Sequence, residues 1–270
     1  MEYTSGLHFA GAVLEISVID LMLSADNALI IAMCCSSLPA AHVRTAVVLG
    51  TAGAIVARGL LTMVAGLLLQ IPYLKIVAAV ALAAIAIKLI AANDPNDPSV
   101  EAAGRRADGG AAAGVAATAA WSAVATFVAA DALMSLDNIV ALGAIAQGSA
   151  LLLIFGLLLS IPLLVFGGLL VVGLLKRHPV LVKTGGAILG WIAGEMAVAD
   201  PVIASWAERE APALWIVLPV LGAVLVLWEG QIVLSARRRD NSLLRAALAS
   251  PVETRAMTTG SRRAAAGEAE

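Results

Sequence analysis

Apolar residues fill this chain in long blocks, and the polar residues that interrupt the blocks are few enough to name one by one. Seven runs, at about 10–33, 45–70, 73–92, 118–144, 150–175, 180–199 and 213–235, can each supply a helix of roughly 20 residues, the length that crosses a hydrocarbon core of about 30 Å. Residues 93–117, rich in Ala, Gly, Pro and Asp, cannot build a core and read as a linker between two halves, 1–92 and 118–199. A seventh helix occupies 200–235. The Arg- and Ala-rich tail, 236–270, is expected to be disordered, with its Asn-Ser-Leu-Leu-Arg-Ala-Ala-Leu piece able to form at most a short interfacial helix. The pattern predicts an all-α, polytopic membrane fold.

Within the first run, Asp20, Ser24, Asp26 and Asn27 break the apolar pattern. The fourth run repeats them as Asp131, Ser135, Asp137 and Asn138, each 111 residues after its counterpart. A carboxylate at the centre of a membrane helix costs at least about 2.5–3.5 kcal/mol on insertion scales, so four of them require a compensating partner. On a straight helix Asp20, Ser24 and Asn27 fall at i, i+4 and i+7 and form one polar stripe that must face the protein interior. Asp26 stands about 120° away from that stripe. Ser, Asp and Asn side chains compete for backbone hydrogen bonds, so the helix is expected to unwind at Ser-x-Asp-Asn, bringing both carboxylates of a copy toward one point.

The repetition extends past the motif. Leu49-Gly50 matches Phe155-Gly156 at an offset of 106, and Pro72 matches Pro179 at 107. Lys88 and Glu195 share the offset of 107, so each half carries one charge late in its third helix, with opposite signs. Three helices per half is an odd number, which inserts the second half upside down relative to the first. The expected architecture is two inverted three-helix repeats plus a C-terminal helix, with a site near the midplane where the halves meet.

Composition agrees with an integral membrane protein. Apolar residues make up 61% and charged residues 13% of the chain, against about 25% charged in soluble domains, and the mean hydropathy is +0.95. A net charge of -2 says little here, because the basic residues collect in loops while much of the acid lies in helices, and no nucleic-acid surface is implied. Residues 1–9 contain a Glu and no Lys or Arg, unlike the basic start of a cleaved signal peptide. Arg44, Arg105, Arg106, Lys176, Arg177 and Lys183 follow the odd-numbered runs and Arg237, Arg238 and Arg239 begin the tail, whereas the opposite side offers Lys75 and Arg209. The positive-inside rule then puts the N-terminus outside and the C-terminus in the cytoplasm.

Two motif copies meeting across a pseudo-twofold would offer four carboxylates and two amide oxygens, with the Ser24 and Ser135 hydroxyls behind them. Oxygen donors without thiolate or imidazole suit Mg²⁺, Ca²⁺ or Mn²⁺. His8, His42 and His178 fall at helix ends or in loops, and the adjacent Cys34 and Cys35 lack metal-binding spacing and read as packing residues. Asp20, Asp26, Asp131, Asp137 and Glu195 set five intramembrane acids against Lys88 and Arg58, a surplus of three negative charges that protons or a divalent cation would relieve. Arg58, whose counterpart is Leu164, is either a structural clamp on one Asp or, with Lys88 and Glu195, part of a gate that tunes the site.

The paired Asp-x3-Ser-x-Asp-Asn segments, each followed by Ala-Leu or Ile-Val, resemble the TerC family of bacterial membrane proteins from about Leu14 to Leu234. The resemblance implies a member of the wider lysine-exporter-like superfamily in the bacterial cytoplasmic membrane, among relatives associated with manganese export; the family name comes from a tellurium-resistance phenotype. It implies Asp20, Asp26, Asn27, Asp131, Asp137 and Asn138 as metal ligands. Many relatives place Glu where this chain has Asp20 and Asp131. The function expected is a secondary transporter exporting a divalent cation, Mn²⁺ first, with no organic cofactor and with the lipid bilayer and the metal ion as partners. Competing readings are polar residues that only join helices, an intramembrane aspartyl protease without the Gly-x-Gly-Asp context, and a metal-binding sensor or assembly subunit that moves nothing. No Gly-x4-Gly-Lys-Ser/Thr loop is present to drive an ATP-fuelled pump.

Overall fold

The computed structural model describes residues 6–23, 27–36, 38–68, 71–93, 110–146, 149–178 and 180–267, with side chains for a smaller set. Among them every regular element is a helix: α1 (Gly6–Leu23), α2 (Asn27–Cys35), α3 (Ala40–Met63), α4 (Ala65–Leu68), α5 (Leu74–Ala92), α6 (Gly110–Ala146), α7 (Ala150–Arg177), α8 (Val180–Val198), α9 (Pro201–Glu210) and α10 (Leu214–Gly267). Six segments are long and apolar enough to cross a membrane: α3, α5, Ala117–Leu136 of α6, Ile154–Arg177 of α7, α8, and Leu214–Asp240 of α10. The first apolar run is not among the six, because it is described as α1 and α2, of 18 and 9 residues, on either side of 24–26.

These helices carry large apolar side chains on both their inner and outer faces, as expected where lipid and not water surrounds the bundle. Val56, Leu60, Val77, Val80, Phe166 and Leu170 lie outward, each more than half exposed. Inside, Ile30, Ile31, Met33, Val47, Leu82, Phe127, Leu189 and Met196 form one continuous core. The tail, expected to be disordered from residue 236, instead continues α10 as helix to Gly267; its Ala, Arg and Leu content favours that state, since these are strong helix formers.

The packing order links the two parts of the chain. Helix α3 lies on α6, helix α7 lies on α1 and α2, and α5 lies on α8. Glycines permit close approaches in two of these pairs. A Cβ on Gly50 would stand 2.9 Å from Phe127 Cδ1, and a Cβ on Gly156 would overlap the Ile16 side chain. Gly50 and Gly156 are the pair offset by 106, while Ile16 and Phe127 are offset by 111, the spacing of the polar motif. Matching residues thus make matching contacts between parts of the chain far apart in sequence. The Ser17 hydroxyl adds a hydrogen bond of 2.7 Å to the Gly156 carbonyl.

A second glycine contact seats the last long helix. Gly190 and Gly194 of α8 meet the backbone of α10 so closely that a Cβ on either would strike the main chain at Leu218–Ala223, the small-x3-small packing common between membrane helices. Between α8 and α9, Asp200 is fully buried. Its carboxylate accepts from the Val202 N–H at 3.0 Å and from the Tyr73 and Lys75 N–H groups at 3.3 and 3.2 Å. One side chain thereby satisfies unpaired donors at the starts of both α9 and α5. In α7, Pro162 sits inside the helix and removes one backbone donor.

Candidate functional site

Helices α1, α3, α6 and α7 bring Asp20, Arg58, Asp131, Ser135 and Ser160 together, and all five are buried. Each comes from a helix in an apolar stretch, Asp20 from the last turn of α1, where burial of a charge without a partner would cost several kcal/mol. The partners are one another. The Arg58 Nη1 donates to Asp20 Oδ1, its Nη2 donates to Asp131 Oδ1 at 2.6 Å, and its Nε donates to Ser135 Oγ at 2.9 Å. Asp20 also receives the Ser160 hydroxyl at 2.5 Å, and Asp131 receives the Asn27 amide at 2.5 Å and the Ser135 hydroxyl at 3.5 Å. The guanidinium fork suits this task because its donors diverge in one plane and it stays charged.

The arrangement joins the two motif copies. Asp20 and Asp131, 111 residues apart, reach one arginine from opposite parts of the chain, and Asn27 of the first copy holds Asp131 of the second. Sequence reasoning offered Arg58 one carboxylate as a clamp; here it grips two. Beside the guanidinium runs a narrow cavity lined by Asn27, Thr51, Arg58 and Asp131, with Ile31, Ala54, Ile55, Phe127 and Leu164 as its apolar wall. Asn27 Oδ1 and Thr51 Oγ1 have no hydrogen-bond partner among the described residues.

The other expected site residues lie outside the described set or away from the cluster. Ser24 and Asp26 lie outside the described residues. Asp137 and Asn138 belong to the backbone of α6, but their side chains lie outside the described set. The backbone there corrects one expectation: α6 runs as unbroken helix from Gly110 to Ala146, so the second Ser-x-Asp-Asn does not unwind. In a hydrocarbon setting each broken backbone bond needs a substitute partner, which favours the continuous helix. Lys88 and Glu195 are both exposed and do not join the cluster; Glu195 accepts from Trp191 Nε1 at 2.8 Å. Their shared offset reflected equal depth along the third helices, not a common inward face. The cluster sets two carboxylates against one guanidinium, a surplus of one negative charge among the described residues.

Ser160 and Thr51 carried no signal in the sequence. Their counterparts at the offset of 106 are Ala54 and Leu157, so the repeat hid them. No group of three or more His, Cys, Asp or Glu side chains assembles among the described residues. Oxygen atoms able to hold a hard cation are nonetheless close together: the Asp20 and Asp131 carboxylates and, along the cavity, Asn27 Oδ1 and Thr51 Oγ1.

Comparison with known proteins identifies the family. No solved structure matches the chain. It is 30% identical over 216 residues to the "Uncharacterized membrane protein YjbE" of Bacillus subtilis (strain 168), covering 80% of this chain and 92% of that one. The family described as "Integral membrane protein TerC family" matches residues 5–239, which takes in both motif copies and, but for Asp240, all six segments that are long and apolar enough to cross a membrane among the described residues. The chain belongs to the TerC family of integral membrane proteins.

Proposed function

We propose that this protein is a secondary transporter that exports a divalent cation, Mn²⁺ first among candidates, from the cytoplasm through a site between two inverted three-helix repeats. The observation that carries the reading is the meeting of Asp20 and Asp131, equivalent residues of the two motif copies, around one buried guanidinium. Support for the repeats comes from the matched Gly50–Phe127 and Gly156–Ile16 contacts, at offsets of 106 and 111. Support for a hard cation comes from the all-oxygen donor set. Asp20, Asp26, Asp131 and Asp137 bind the ion, and Asn27 and Asn138 complete its shell. The first run spans the bilayer as a seventh crossing, and the N-terminus lies outside a bacterial cytoplasmic membrane. No chemical step is required of any residue.

The test is manganese retained by cells that express the chain, measured by elemental analysis after a manganese load. Asp20→Asn and Asp131→Asn are each expected to abolish the reduction in cell manganese while reaching the membrane in wild-type amounts, and the same is expected of Asp26→Asn and Asp137→Asn. Wild-type efflux in both Asp20→Asn and Asp131→Asn would overturn the site. Calcium and zinc measured in the same cells identify the preferred ion, and metal-dependent stability without flux would favour a sensor.

A further inference from the structure

The guanidinium of Arg58 occupies the place that a bound cation would need. The lone pairs that a divalent ion would engage, on Asp20 Oδ1 and Asp131 Oδ1, are the ones that accept from Nη1 and Nη2. A metal at its usual oxygen distance of about 2.0–2.6 Å and a guanidinium on the same two atoms exclude each other by contact as well as by charge. We propose that Arg58 is a tethered competitor for the transported ion: it holds the two carboxylates together when no metal is bound, and metal binding requires it to leave. This rests on the reading of the site as a metal passage.

The fold supplies somewhere for it to go. Thr51 precedes Arg58 by seven residues on α3, two turns along nearly the same face, and helical side chains lean toward the N-terminal end of their helix. The cavity between them is lined by Asn27 and Thr51, whose Oδ1 and Oγ1 are acceptors with no donor among the described residues. The cavity measures only about 10 Å³, so a guanidinium released from Asp20 follows its own helix toward those oxygens as the Ile31, Ile55 and Leu164 side chains that line the cavity part to admit it. Ser135 and Ser160 remain on the carboxylates, which stay oriented for the ion. After the metal departs, the returning guanidinium lowers the charge that the empty site would otherwise expose, so the carrier can reset.

A fixed clamp would behave differently. The experiment titrates Mn²⁺ into the full chain in lipid nanodiscs at one pH, following the signal of free Mn²⁺ by electron paramagnetic resonance, for wild type, Arg58→Gln, Arg58→Lys and Asp131→Asn. Where a site is available only in a minor fraction of molecules, its apparent affinity is reduced by that fraction, so removing the competitor is expected to tighten Mn²⁺ binding by about tenfold in Arg58→Gln. Flux in proteoliposomes is expected to fall in the same variant, because nothing neutralises the empty site. Arg58→Lys, which can grip one carboxylate at a time, should bind more tightly than wild type and serves if the Gln variant does not fold. Binding by wild type with unchanged or weaker binding in the folded Arg58 variants overturns the competitor. Absence of binding in wild type and all Arg58 variants overturns the metal passage itself, and the competitor with it.

Discussion

Ser160 donates to Asp20 at 2.5 Å from a helix made mostly of Leu, Ile, Val, Phe and Gly. Hydrogen bonds between neutral groups of membrane helices average only about 0.6 kcal/mol, but this one ends on a fully buried carboxylate already tied to a guanidinium, where losing a donor costs nearer 1–3 kcal/mol. Ser160→Ala is therefore expected to lower the stability of the purified protein by about 1–3 kcal/mol, read as unfolding in detergent, while Ser122→Ala on the exposed face changes nothing measurable. At this scale the sequence showed the acids and hid their partners. Asp20 and Asp131 were legible because each recurs with its neighbours, and Asn27 because it belongs to the same repeated unit. Ser160 and Thr51 were not, since a single hydroxyl in an apolar helix is common and neither has a polar counterpart. Lys88 and Glu195 were misread because a charge in an apolar run invites an inward placement, whereas both are exposed.

Helices meet here through small residues that let particular larger ones in. Gly156 leaves room for Ile16, and an added Cβ would overlap it. Gly156→Ala is expected to cost about 1–3 kcal/mol from overpacking. Ile16→Ala, which removes the Cγ2 atom that the added Cβ would overlap, should cost about 2–5 kcal/mol alone. Together the two should cost less than their sum by about 1 kcal/mol, a coupling that unfolding of the four proteins in one double-mutant cycle would measure. Gly50 and Gly156 stand out in the sequence only as an alignment landmark; their role as contact points depends on which helix lies opposite. The helical state was legible throughout from the apolar blocks, but the ends were not. The second run was expected at 45–70, and its helix begins earlier, at Ala40, right after Pro39, a residue suited to a helix start. The expected break in α6 failed for a reason of solvent: Asp and Asn open a helix when water can take over the backbone, and lipid offers no such exchange.

For the molecule as a whole, orientation follows from charge, and exposed positions make it measurable. The native Cys34 and Cys35 are 6% and 3% exposed, so they leave little background for a thiol reagent. Arg209→Cys on α9 is expected to react with a membrane-impermeant maleimide added to intact cells, and Arg239→Cys on α10 only after the cells are broken; the reverse order would invert the topology. The class of the protein was readable from hydropathy. The number of crossings was not settled by it, since the first run is described as two helices flanking 24–26 while six other segments meet the length and hydropathy of a span.

Leu164 stands where a perfectly duplicated protein would place a second arginine, and it lines the same cavity as Arg58. Two identical halves would have equal claim to either of two mirror-related arrangements, one opening to each side of the bilayer, with no energetic reason to favour one. A lone cationic arm, rooted in only one half, removes that tie. The empty protein would then wait with one particular mouth shut, and a single side chain would give a nearly symmetric scaffold its sense of direction.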